Sequence, residues 1–126
     1  MAVVAGFIAN EEGRAALSAA IEEARNRGQR LVVIVHAPRG ERDRLGEAVE
    51  EARGLTADCG LEVDVRPNDA EDLAEEILRV VEEVNPVLIV IGLRRRSVTG
   101  KLILGSNAQR ILLDSPTPVL AIKSFN

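Results

Sequence analysis

Five short apolar runs, Val3 to Ile8, Leu31 to Val35, Leu61 to Val65, Val87 to Ile91 and Val119 to Ile122, punctuate the chain, and every interval between them has helical periodicity. Runs of this length suit strands rather than helices. In the intervals, Leu17, Ala20, Ile21 and Ala24 form one apolar stripe, and Leu45, Ala48, Val49 and Ala52 form a second. Leu73, Ile77, Val80, Val81 and Val84 form a third, with Glu and Arg between them. A fourth helix is predicted over Ile103 to Leu113, with Leu104, Ile111 and Leu112 on its apolar face and Ser115-Pro116 closing it. Gly28 and Gly60 read as helix stops, and Asn68 followed by Glu71 as the start of the third helix. Strands alternating with helices imply right-handed crossovers and a parallel sheet covered on both faces.

The individual strands sort themselves within that sheet. "VVIV" and "VLIVI" are apolar at every position, as strands covered on both faces should be. "LEVDV" alternates, with Glu62 and Asp64 on one face, and belongs at an exposed edge. "VLAI", Val119 to Ile122, has no polar face although it is the last strand, and an uncovered apolar edge invites pairing. A second copy of the chain is expected to cover it, making a homodimer.

Composition narrows the function classes. A chain of 126 residues fits one domain, 1–126, and can bury a single core. With 16 Lys and Arg against 20 Asp and Glu, it lacks the field of a nucleic-acid binder, and two Phe with no Trp or Tyr leave little on which to stack bases. The lone Cys59 excludes an intrachain disulfide, and the lone His36 leaves no histidine-based metal set. His36 reads as a partly buried residue at the end of the second strand with no nucleophile to serve, and Cys59 as a small apolar residue. Acidic pairs such as Glu75-Glu76 and Glu82-Glu83 lie off the apolar stripes and read as solvated helix faces. No apolar run approaches the roughly 20 residues of a membrane span. "MAVVAGFIANEE" lacks a signal-peptide pattern, so a cytoplasmic location is expected.

Chemistry concentrates in "VIGLRRRSVTGKLILGSNAQ", Val90 to Gln109. It leaves the carboxyl end of the fourth strand, where open parallel sheets bind ligands. Gly105 and Ser106 fall in the first turn of the following helix, whose unpaired N–H groups and positive dipole end favour an anion. Gly92 and Gly100 are too far apart for a P-loop, and Leu102 stands where a magnesium-binding Ser or Thr would be. The first strand turn, "GFIANEEG", offers no dinucleotide fingerprint either.

From "AGFIANEEGRAAL" to "GSNAQRILLDSPTPVLAIK" the chain resembles the universal stress proteins, small α/β domains, commonly dimeric, some of which bind ATP. The resemblance implies a doubly wound, Rossmann-like parallel sheet of five strands in the order 3-2-1-4-5. Nucleotide-binding members carry Gly, two residues, Gly, nine residues, then Gly and Ser or Thr. Gly92, Arg95, Gly105 and Ser106 take those places here, with Arg95 the departure from the pattern. Its side chain either crowds the path of the phosphates or, with Arg94 and Arg96, supplies bidentate contacts in place of the lost glycine. A second departure is Ile8, at the place of an Asp that contacts the adenosine part of the ligand; its side chain accepts no hydrogen bond. The implied ligand is ATP or another adenine nucleotide, with magnesium able to accompany it. Its phosphates would lie on Gly105, Ser106 and Asn107 beside Gly92 and Arg95, and its base near Ile8 and the Val35 backbone. The expected role is a small-ligand binding and signalling module in stress response. The alternative is a dimeric interaction protein of the same family without nucleotide. Slow nucleotide hydrolysis ranks third, because neither a metal ligand nor a water-activating group is assigned by spacing.

Overall fold

The apolar strand runs pair into one parallel sheet. In the computed structural model, which describes residues 1–69, 72–93 and 104–124, the strands are β1 (Ala2–Phe7), β2 (Arg30–Val35), β3 (Val63–Pro67), β4 (Leu88–Leu93) and β5 (Val119–Lys123). They are ordered β3-β2-β1-β4-β5, as expected. Between them run helices α1 (Glu11–Arg27), α2 (Leu45–Thr56), α3 (Leu73–Val84) and α4 (Ser106–Asp114), with a short 3-10 turn, Arg42–Arg44, leading into α2.

Strand side chains point alternately to the two faces, so a strand apolar at every position feeds two cores. Val3, Ala5 and Phe7 of β1, with Leu31, Val33 and Val35 of β2, pack under α1 and α2. The intervening Val4, Val32 and Ile34 join Ile89 and Ile91 of β4 under α3 and α4. Most of these side chains are fully buried, each worth about 1.5–3 kcal/mol over exposure. Small residues seat α1 closely, since its buried stripe is Ala16, Leu17, Ala20 and Ala24.

Several boundaries differ from the sequence reading. Gly28 does stop α1, at φ 64, but Gly60, at φ 77, lies beyond the end of α2 at Thr56 and turns the chain towards β3. The start of α3 is capped by Asp72 and not Asn68, whose side chain is buried against His36. Glu71 lies outside the described residues. The last helix begins at Ser106, so Leu104 precedes it, and its buried face is Ala108 and Ile111, leaving Leu112 exposed. Ile103 also lies outside the described residues.

The two edges are finished differently. On β3, Asp64 pairs with Arg66 at 2.7 Å, and Arg66 reaches Glu83 of α3 at 2.9 Å, charges that discourage strand addition. On β5, Val119, Leu120, Ala121 and Ile122 are all half-buried and apolar.

Candidate functional site

The chain passes from β1 to β2 on one side and returns through α3 to β4 on the other, so the strand order reverses between β1 and β4. At the carboxyl ends of these strands lies a cleft of about 230 Å³. Ile8 and Asn10 reach it from the β1 turn, His36 and Pro38 from the end of β2, Gly92 and Leu93 from β4, and Gly105, Ser106 and Asn107 from the start of α4.

Two glycines fix the rim by close packing. A Cβ on Gly13 would lie 1.8 Å from the Ile8 carbonyl oxygen, and one on Gly92 would lie 2.6 Å from that of Glu12. Only glycine at both places lets the first turn of α1 wedge between the β1 turn and β4. The Asn10 Oδ1 then accepts from the Gly13 N–H at 2.7 Å and caps the helix. Gly105 differs from both: among the described residues a Cβ there would meet no atom within 4 Å, and its φ of −71° suits any residue. The described structure gives it no packing reason to be glycine, and it faces the cleft.

The beginning of α4 is the opposite of the capped starts of α1 and α3. Asn10 and Asp72 cap those helices with side-chain oxygens, whereas α4 starts at Gly105 with no side-chain cap among the described residues. Its first-turn N–H groups thus leave room for an anion from the cleft. The Asn107 side chain is turned elsewhere: its Oδ1 accepts from the Ala74 N–H in the first turn of α3, at 3.1 Å. Arg110 adds an ion pair with Asp72 at 3.0 Å, so α4 is tied to the start of α3 at two points.

On the opposite wall stands His36, only 6% exposed. Its backbone N–H donates to the Phe7 carbonyl at 2.9 Å, and its Nδ1 lies 3.2 Å from the Nδ2 of Asn68, which is 2% exposed. Burial pushes the imidazole pKa below its usual value, the Arg42 charge pushes it further, and Asp72 partly offsets both. Among the described residues no group of three or more His, Cys, Asp or Glu could hold a metal ion.

Comparison with known proteins places this geometry. The model of the "Universal stress protein family" matches residues 1–123. The chain belongs to that family. A universal stress protein of Mycolicibacterium smegmatis is 40% identical over 127 residues, covering 96% of each chain. The structure of a universal stress protein from Archaeoglobus fulgidus superposes with a TM-score of 0.82 at 30% identity, covering 98% of each chain. A universal stress protein from the same organism in complex with dAMP superposes at 0.77 and 25% identity, also over 98% of each chain.

Of the positions singled out in this universal stress protein's sequence, Ile8, Gly92, Gly105, Ser106 and Asn107 meet at the one cleft. Val35 does not: it is fully buried in β2, and its carbonyl accepts from the Asn68 N–H at 2.8 Å. Arg95, with Arg94 and Arg96, lies outside the described residues. Sequence reasoning missed the roles of Asn10, Gly13 and His36. For His36 a signal existed, since it directly follows an all-apolar strand at the end where ligands bind.

Among the described residues no helix is long and apolar enough to cross a membrane.

Proposed function

We propose that this universal stress protein binds an adenine nucleotide in the cleft between β1 and β4 and acts as a ligand-binding, signalling module in stress response rather than as an enzyme. The observation that carries this reading is the uncapped start of α4, with Gly105 opening onto the cleft and Ser106 beside it. Phosphates lie against the N–H groups of that turn, with the Ser106 hydroxyl donating a further hydrogen bond and Gly92 alongside. Asn107 contributes its backbone N–H, its side-chain oxygen being engaged by Ala74. Arg95 belongs to the same phosphate site by its place in the family pattern, where magnesium can accompany the nucleotide. The base lies towards Ile8 and the end of β2. The dAMP complex of the similar Archaeoglobus fulgidus protein supports an adenine nucleotide as the ligand class. The functional unit is a cytoplasmic homodimer joined through the Val119 to Ile122 edge.

Calorimetric titration with AMP, ADP, ATP and cyclic AMP, with and without magnesium, tests this directly. Micromolar binding is expected, weakened about tenfold in Ser106→Ala by the loss of one hydrogen bond to a charged group. Absence of heat up to millimolar ligand, from protein freed of copurified nucleotide, would refute it. The apolar β5 edge would then favour the alternative of a dimeric interaction protein without nucleotide.

A further inference from the structure

The cleft wall opposite α4 carries a polar group that the phosphate site leaves unused. His36 is nine-tenths buried and lines both the cleft and an adjoining recess of about 260 Å³ that shares Ile8, Asn10 and Pro38 with it. Asn68 presents its amide nitrogen to Nδ1. An amide NH2 only donates, so Nδ1 must accept, and the neutral ring carries its proton on Nε2. Nε2 has no hydrogen-bond partner among the described residues, which leave no buried side-chain nitrogen or oxygen unpaired. The Nε2–H is therefore reached from the space that His36 lines.

Next to it Ile8, whose side chain has no hydrogen-bonding group, shares both walls. We propose that His36, locked by Asn68 as the Nε2–H tautomer, is the hydrogen-bond donor that positions the nucleoside half of the ligand by binding an acceptor atom there. The inference rests on the nucleotide reading of the cleft. It makes this site a selector for ligands that present a lone pair, a base ring nitrogen or a sugar oxygen, where an acidic side chain would select for a donor. A buried donor left without an acceptor is costly, so a ligand lacking that lone pair is discriminated against. The burial and the nearby Arg42 charge both keep the ring neutral, against the smaller opposing pull of Asp72, so Nδ1 stays free to accept from Asn68.

The chain has one histidine, so its imidazole signals are unambiguous. Long-range proton–nitrogen NMR of the labelled protein at pH 7.5 is expected to show the neutral Nε2–H tautomer, with Nε2 shifting on titration with AMP. Ribose 5-phosphate serves as the second probe: a His36 shift with AMP alone puts the acceptor on the base, a shift with both puts it on the sugar, and either supports the donor role. An Nδ1–H tautomer overturns the proposal. A silent His36 while the Ser106 amide shifts overturns it alone and leaves the phosphate site standing, whereas no shift anywhere overturns both. Calorimetry adds the energetic arm. His36→Leu is expected to weaken AMP about tenfold and His36→Gln, which keeps a donor, to restore most of it; equal affinities in all three proteins contradict the proposal.

Discussion

Glycine carries opposite meanings at three places around the cleft, and the distinction lies in what a single methyl group would touch. At Gly13 and Gly92 it would strike backbone oxygens of Ile8 and Glu12, and backbone cannot swing aside as a side-chain tip can. Gly92→Ala is expected to destabilise the fold by about 1–3 kcal/mol, the usual cost of overpacking, and Gly13→Ala by more. Gly105→Ala, which meets no atom of the described residues and sits at an ordinary φ, should leave the urea midpoint unchanged while weakening nucleotide binding. Equal losses of stability at Gly92 and Gly105 would contradict this division. His36 gives a second residue-scale prediction, from the direction of its pKa. The folded state resists the proton, so below about pH 6.5 the unfolded chain takes up a proton that the folded chain does not, and stability falls as the pH falls. Above that value the neutral ring's contribution is present in full. His36→Gln is expected to flatten the slope of thermal midpoint against pH just above the carboxylate range, and an unaltered slope would assign it to other groups. The burial of His36 at the end of β2 was legible in sequence, but neither the glycine contrast nor the pairing of His36 with Asn68 was, because both depend on which segments the fold brings within a few ångströms.

At the scale of elements, legibility followed the strength of the periodic signal. The apolar runs of β2 and β4 read as strands covered on both faces and lie inside the sheet, and alternating Glu62 and Asp64 placed β3 at an edge. Equally apolar β5 is an edge that only its place at the end of the order reveals. Helix starts were less readable, because a cap is recognised by the side chain that bends back and Asn68 and Asp72 are equally competent by type. Tertiary context decided: Asn68 was taken by His36, and Asp72 accepts from the Glu75 N–H at 3.2 Å. The same carboxylate holds Arg110, while Asn107 accepts from Ala74, so the start of α3 is an anchor for α4. Asp72→Ala is therefore expected to cost about 1 kcal/mol as a lost cap. Although Asp72 is not on the cleft wall, the variant should also weaken nucleotide binding, since α4 loses one of its two ties. Chemical denaturation and calorimetry on one preparation check both. Lost stability with unchanged affinity would mean that the Asn107–Ala74 bond and the packing of Ala108 and Ile111 suffice to set the position of α4.

For the whole molecule the question is what happens at the β5 edge. The sheet's two margins face similar solvent, yet β3 is guarded by Asp64, Arg66 and Glu83 while the strand at the other end is apolar from Val119 to Ile122. Near it in the chain, α4 leaves Leu113 82% exposed, with Leu112 also exposed. Edge strands whose body carries no charge are templates for another strand, and β5 has its one charge at the final residue, Lys123. A pairing that places β5 beside its own copy about a two-fold axis closes the assembly at a dimer instead of propagating it. Leu120 and Ile122 point to the α1 side and Val119 and Ala121 to the α3 side, so a neighbouring strand would extend both cores at once. Light scattering at micromolar concentration is expected to give a dimer. A charge at Leu120 should yield monomers, but Leu120 also packs against the core, so unfolding could imitate dissociation. Leu113→Glu separates the two effects because its side chain is already in solvent. A folded Leu113→Glu monomer would place the interface across the end of α4 as well as β5. A folded dimer from Leu113→Glu together with a folded monomer from Leu120→Glu would confine it to the strand. A wild-type monomer would show that half-burial within one chain suffices for this edge, and the pairing would be refuted.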